Sequence, residues 1–71
     1  MSTQGTLEQA NRLFDAMEIV AEYERGYDHP KIEESIRTCI ELCYLFEMYI
    51  VTDQYRERLK KFQAGTLKAS T

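Results

Sequence analysis

Two cysteines offer the most versatile chemistry in this sequence. Cys39 and Cys43 are four positions apart, so a helix would place both thiols on one face. Two thiolates at this spacing could chelate a metal ion, with a second chain supplying two further ligands. However, both cysteines lie in the apolar segment CIELCYLFEMYIV, which favours small buried hydrophobic residues. The sequence therefore predicts structural cysteines and neither a metal nor a cofactor, with the metal site as the alternative.

Catalytic motifs are sparse. The single histidine, His29, precedes Pro30, where a capping or solvent-exposed role is expected. There is no glycine-rich phosphate loop, and a nucleophilic cysteine would need a nearby base and a positively charged setting. We therefore expect a protein that is not an enzyme.

Length and charge restrict the class of protein further. A core built from 71 residues is only marginally sufficient, and two cysteines on one helix are poorly placed for a disulfide. The polar start and the short apolar run predict no signal peptide and no membrane span, so a reducing cytoplasmic location is expected. The net charge of −3 argues against indiscriminate nucleic-acid binding.

Apolar periodicity predicts an all-α protein whose first helix covers about 6–25. Thr6 and Gln9 have the spacing of a capping box, and Leu7 opens the periodic run. The predicted inner face of this helix is broad: Leu7, Ala10, Leu13, Phe14, Met17, Val20 and Ala21. Gly26 follows the run and suits the left-handed position after a helix end. No alternation typical of a strand competes with this pattern.

The second helix is expected to be much longer than the first. Pro30 suits its first turn, and neither glycine nor proline occurs again before Gly65, which predicts a helix over about 30–63. The short connection favours an antiparallel two-helix hairpin. The predicted organisation is a flexible tail at 1–5, a helical hairpin domain at 6–64 and a flexible tail at 65–71.

The long helix carries two apolar stripes. The first is predicted to form the hairpin core against the first helix: Ile32, Ile36, Cys39, Cys43, Phe46 and Ile50. The first helix cannot also cover the second stripe: Tyr44, Met48, Val51, Tyr55, Leu59 and Phe62. An uncovered stripe of this length would promote aggregation. We therefore predict a homo-oligomer, most simply a dimer forming a four-helix bundle. Self-association is assigned to Tyr44, Met48 and Val51, in the middle of the helix.

The far end of the same helix is predicted to bind another protein. It combines apolar anchors with positive charges, a composition common at interface hot spots: Tyr55, Arg56, Arg58, Leu59 and Phe62. The expected function is a small helical regulator, inhibitor or chaperone that binds and controls another protein. A nucleic-acid-binding dimer that uses this basic end, and a small-ligand binder with its site between chains, are the alternatives.

An acidic row on the first helix is the competing protein-binding surface. It comprises Glu8, Asp15, Glu18, Ile19, Glu22 and Tyr23. The carboxylates would engage a basic partner, and exposed isoleucine and tyrosine beside them would resemble a contact patch. A solvated polar helix face explains the same carboxylates without a partner.

Overall fold

The computed structural model describes residues 6–68, which form three α-helices. In chain order they are α1 (Leu7–Glu24), α2 (Ile32–Leu45) and α3 (Tyr49–Gln63). No strand occurs among the described residues, so the all-α class is confirmed. The central helix α2 packs against both α1 and α3. The predicted tail at 1–5 and the last three residues of the predicted tail at 65–71 lie outside the described residues.

A capping box starts α1, at the position that the sequence indicated. The Thr6 hydroxyl accepts a hydrogen bond from the Gln9 N–H at 3.1 Å, and the Gln9 side chain accepts one from the Thr6 N–H at 3.0 Å. At the other end, Gly26 has φ of +111°, in the left-handed region that glycine adopts without steric strain. The short loop after Gly26 leads into α2.

The start of α2 differs from the expected one. The helix begins at Ile32 rather than at Pro30, and its N-cap residue, Lys31, makes no side-chain capping bond. His29 does not cap α2 either, because its Nε2 lies 2.9 Å from Glu22 Oε1. This contact ties the loop to the last turns of α1.

The prediction of one continuous helix over about 30–63, and with it the two-helix hairpin, is wrong because the chain reverses between α2 and α3. Glu47 has φ of +63°, and its N–H donates to the Tyr44 carbonyl at 2.9 Å. The next N–H, that of Met48, donates to the Cys43 carbonyl at 2.8 Å. These two bonds form a Schellman motif, which usually has glycine at its left-handed position.

The reversal buries the inner face of α3, which explains why the bent chain is favoured. Thr52 is only 2% exposed, and Tyr55, Leu59 and Phe62 are half-buried against the core. A non-glycine residue in the left-handed region costs about 1–2 kcal/mol. Full burial of one large apolar side chain gains about 1.5–3 kcal/mol, so partial burial of three side chains offsets that cost.

The described core lies where the three helices meet. Its buried apolar members are Leu13, Ala16, Val20, Ile32, Ile36, Cys39, Leu42, Cys43 and Leu67. The ends of α1 and α3 also meet through their side chains. Arg58 donates to Glu24 at 3.0 Å, and the Tyr23 and Phe62 rings pack edge to face with centroids 6.0 Å apart. These contacts place the C-terminal ends of α1 and α3 at the same end of the bundle.

The segment after α3 contributes to the core as well. Leu67, which the sequence assigned to the C-terminal tail, is buried. The neighbouring Lys68 pairs with Asp28 in the loop between α1 and α2. The hydrogen bond and the charge of Lys68 lower the pKa of the Asp28 carboxyl from its ordinary value. The packed unit therefore extends beyond residue 64.

Replacing Glu47 with glycine is expected to raise the free energy of unfolding by about 1 kcal/mol, because glycine removes the strain of the left-handed conformation. The matched control is Glu41→Gly, at an exposed position inside α2. Glycine there should lower stability by about 1 kcal/mol. Urea unfolding of the two variants measures both effects. Two losses of equal size would contradict the assigned strain at Glu47.

Candidate interaction surface

Large apolar side chains are exposed where α2 passes into α3. We call Tyr44, Met48, Tyr49 and Ile50 the turn-end patch. Tyr44 is 58% exposed, Tyr49 is 53% exposed and Ile50 is 77% exposed. Scattered exposed apolar residues are ordinary on protein surfaces, but four large ones exposed within seven residues around one turn are a concentration that suggests a contact surface.

The patch is positioned by the reversal and by the first turn of α3. The Thr52 hydroxyl donates to the Met48 carbonyl at 2.9 Å, which satisfies a buried polar group at the start of the helix. Because Thr52 points inward, Ile50, two positions earlier, points to the opposite side of α3. The Tyr44 and Tyr49 rings meet edge to face with centroids 5.4 Å apart, so the two aromatic side chains support each other.

The start of α1 lies at the same end of the bundle. Tyr44 and Leu45 line a shallow groove together with Gln9 and Arg12 of α1. Leu7, at the first position of α1, is 78% exposed. Leu7 is therefore a further exposed apolar residue at the end of the bundle that carries the turn-end patch.

The self-association residues predicted from the sequence are only partly brought together on this surface. Tyr44 and Met48 are both exposed and belong to the turn-end patch. Val51 is half-buried and packs against the core, because the reversal turns its side of α3 toward the rest of the bundle. Two of the three predicted self-association residues are therefore exposed in the structure.

Most of the predicted partner-binding residues are half-buried in the bundle, whereas the sequence predicted a free surface. Tyr55, Leu59 and Phe62 pack against the core instead of projecting beyond the first helix. Arg58 is held by Glu24, and its guanidinium lies 4.9 Å from the centre of the Tyr55 ring. Of the five predicted anchors, Arg56 alone is exposed. The expectation of a free distal surface followed from the straight helix and does not hold.

The acidic row of α1 is also divided by the fold. Glu8, Asp15 and Glu18 are exposed. Glu22 faces His29 across the loop, as described above. The two apolar residues assigned to this face, Ile19 and Tyr23, are half-buried and pack against the core. The exposed part of the row is therefore a set of carboxylates without the apolar flank that suggested a contact patch.

The thiols have the properties of buried hydrophobic groups. Cys39 and Cys43 are unpaired and completely buried. Burial, with a smaller effect from the neighbouring Cys43, raises the pKa of the Cys39 thiol to about 12. A hydrogen bond with Tyr55 and the charge of Arg58 act in the opposite direction but are outweighed. Thiols that stay protonated are poor nucleophiles and poor metal ligands.

The same environment affects the tyrosine that faces these thiols. Burial, with a smaller effect from Cys39, raises the pKa of the Tyr55 phenol to about 12. Among residues 6–68, no three His, Cys, Asp or Glu side chains are grouped to hold a metal ion.

The basic residues of α3 are interleaved with acids. Arg56 lies 3.8 Å from Asp53, and Lys60 lies 3.6 Å from Glu57. These exposed pairs on one helix reduce the local positive charge that a nucleic-acid contact would use. A groove beside α2 is a candidate ligand site in a single chain. Most of the residues that line it are of charged or polar type: Arg12, Glu33, Glu34, Arg37, Thr38, Ile40, Glu41, Tyr44, Arg56 and Leu59.

Sequence reasoning missed half of the turn-end patch. Tyr49 was assigned no role, and Ile50 was placed on the core stripe of a continuous helix. The register of α3 differs from that of α2 because of the reversal, so the stripe that includes Ile36 and Cys43 does not continue to Ile50. The residues carried no signal for the new register, since it depends on the left-handed conformation of Glu47.

Fold and surface together define a small all-α domain of three packed helices with an apolar patch at one end. No protein-family model matches the chain, and neither a curated protein nor a solved structure is significantly similar to it. In the described part of the chain, each helix is too short or too polar to span a lipid bilayer.

Proposed function

We propose that this chain is a non-enzymatic protein-interaction module, a small helical regulator, inhibitor or chaperone that binds another protein. We further propose that it associates with a second copy of itself, most simply as a dimer. The observation that carries the proposal is the turn-end patch, where Tyr44, Met48, Tyr49 and Ile50 are exposed together.

Energetics support a binding role for this surface. Transferring one large apolar side chain from water to a packed interface gains about 1.5–3 kcal/mol. Tyrosine is enriched at interface hot spots because it buries a large area and can hydrogen-bond at the rim. The Tyr44 and Tyr49 rings already contact each other, so less side-chain entropy is lost on binding than for two free rings.

The thiols and the histidine give less support to a catalytic role. Cys39 and Cys43 are buried, and the pKa of each thiol is raised. Such thiols do not supply the exposed thiolate that nucleophilic catalysis requires. His29 lies in the loop between α1 and α2, where its imidazole contacts the Glu22 carboxylate and not a thiol. The proposal therefore assigns the protein a binding function.

The double variant Tyr44→Lys/Met48→Lys tests the patch. The wild-type chain is expected to scatter light at micromolar concentration as a species larger than its 8.4 kDa monomer mass. The double variant should be monomeric with unchanged helicity, because two charges replace apolar contacts on an exposed surface. The matched control is Tyr27→Lys, which alters an exposed tyrosine in the loop between α1 and α2. This control should associate like the wild type.

The same three proteins serve as baits for a protein partner. A host protein that is captured by the wild type and the Tyr27→Lys control, but lost with the double variant, would support the proposed binding surface. A clean monomer for the wild type at high micromolar concentration would contradict self-association. Capture that is equal for all three baits would contradict the patch as the binding surface.

A further inference from the structure

We propose that the second copy binds by exchanging α3: the turn between α2 and α3 straightens, and the α3 of each chain packs onto α1 and α2 of the other. This inference rests on the self-association in the proposed function and names its mechanism. Short connections under strain favour exchange of an identical element between two copies of a chain.

The first observation is the strain in the turn. Glu47 holds φ of +63°, although a residue with a side chain disfavours this region. The surrounding sequence does not oppose a continuous helix, because residues 31–64 contain neither glycine nor proline. Glutamate is a good helix former, so a straight α2–α3 segment removes the strain at Glu47 and adds helical hydrogen bonds.

The second observation is the set of contacts that α3 makes when the chain is bent. Its inner face includes the buried Thr52, and near its end Arg58 and Phe62 contact Glu24 and Tyr23 of α1. A straightened chain loses these contacts and exposes the core around Cys39. Only another copy of this chain offers the same complementary surface, so the partner in the exchange is a second copy.

The third observation is the turn-end patch. In the bent chain, Tyr44 and Met48 are exposed beside the turn. In a continuous helix, positions 44, 48, 51 and 55 have the 4-3-4 spacing that aligns side chains on one face. Two straightened helices that cross at this point would bury the Tyr44 and Met48 side chains against each other. The exchange would therefore bury apolar groups that are exposed to water in the bent monomer.

Cross-linking between chains distinguishes exchange from simple contact through the patch. The pair Arg58 Nε and Glu24 Oε2, 3.0 Å apart, lies near the C-terminal ends of α1 and α3, whereas the patch lies at the start of α3. Single variants Glu24→Cys and Arg58→Cys are mixed, unfolded, refolded together and treated with a short bismaleimide. Exchange brings Glu24→Cys of one chain beside Arg58→Cys of the other, so a covalent dimer is expected. The controls are each variant alone and the wild type, whose cysteines are buried.

Glu47→Gly provides an independent test on the otherwise unaltered chain. Glycine relieves the strain in both bent monomers and is a poor helix former in the straightened dimer, so the dimer should dissociate at least roughly thirty-fold more readily. Glu41→Gly is the control, since position 41 is helical in both forms. Its dimer dissociation constant should stay within a few-fold of that of the wild type. Sedimentation equilibrium measures all three proteins.

Each outcome decides between the two proposals. A mixed covalent dimer together with a weakened Glu47→Gly dimer supports the exchange. A stable dimer without the mixed cross-link, or with a Glu47→Gly dimer as tight as the wild type, overturns the exchange and leaves association through the patch. A wild-type chain that is monomeric at all concentrations tested overturns the self-association and the exchange together.

Discussion

Replacing Ile36 with alanine is expected to lower the free energy of unfolding by about 2–5 kcal/mol. Ile36 is completely buried in the first half of α2, the helix that packs against both α1 and α3. Alanine would leave a cavity that rigid helices close only in part. A domain of this size has a total stability on the order of 4–10 kcal/mol. The variant should therefore be partly or wholly unfolded near physiological temperature.

Ile50→Ala is the matched control, because it removes the same atoms from a side chain that is 77% exposed. At concentrations where the chain is monomeric, its stability should change by less than about 0.5 kcal/mol. Urea unfolding followed by circular dichroism compares the two variants. If Ile50→Ala were as destabilising as Ile36→Ala, Ile50 would belong to the core, as the uninterrupted helix register implied.

The ends of the helices show how far local sequence determines this fold. All three helices end in Schellman motifs, with Gly26, Glu47 and Gly65 in the left-handed position. The two glycines predict a helix end from the sequence, since glycine adopts this conformation without strain. Glu47 gives no such prediction, because glutamate intrinsically favours continuation of the helix. The third helix therefore depends on tertiary packing, which a pattern of single residues does not contain.

The core was predictable wherever the helix register could be counted from a recognisable start. Ile36, Cys39 and Cys43 were assigned to one buried stripe, and all three are completely buried. Phe14 was placed on the inner face of the first helix but is 62% exposed. The buried face of α1 is narrower than the predicted apolar arc, because α2 is the one helix of residues 6–68 whose backbone packs closely against it.

The candidate site was less predictable than the core for the same reason. The apolar stripe from Tyr44 to Phe62 was expected to be covered by a second chain, but its members on α3 pack against the core of their own chain: Val51, Tyr55, Leu59 and Phe62. The uncovered remainder is the start of the stripe beside the turn. Because the sequence predicted a helical conformation for Glu47, the expected binding surface was placed at the end of the stripe. The exposed apolar residues lie at its beginning.

The straight helix that the sequence predicted and the bent chain of the structure are both compatible with the same apolar pattern. Sequence periodicity alone therefore could not distinguish them. In the bent chain, Tyr55 covers Cys39 within one molecule. In the straight chain, the same stripe would need a second molecule. Under the proposed exchange, the choice between these arrangements would depend on chain concentration and on the strain at Glu47, and neither quantity is encoded in hydrophobic periodicity.

Alkaline pH is expected to unfold the domain well before arginine or the backbone is affected. The pKa of the Cys39 thiol rises from 9.0 to about 12 on folding, chiefly through burial, and that of the Tyr55 phenol rises from 10.0 to about 12. A raised pKa means that the unfolded chain loses these protons first. The associated stability is complete below pH 9 and is lost as pH rises toward 12.

The slope of this loss identifies the group responsible. Each proton that the unfolded chain releases first lowers stability by about 1.4 kcal/mol per pH unit. Urea unfolding with a reducing agent at pH 8, 10 and 11 should therefore show a steep decline for the wild type. Cys39→Ala should start less stable because of its cavity. It should decline less steeply between pH 9 and 10, where the thiol is the group that titrates in the unfolded chain.

Tyr55→Phe separates the contribution of the phenol. This variant keeps the buried ring beside Cys39 but removes the hydroxyl, so its decline above pH 10 should be shallower than that of the wild type. Its decline between pH 9 and 10 should be unchanged. If wild type, Cys39→Ala and Tyr55→Phe lose stability in parallel across the whole range, neither group is buried as the bent chain requires. The packing of α3 over Cys39 would then be wrong.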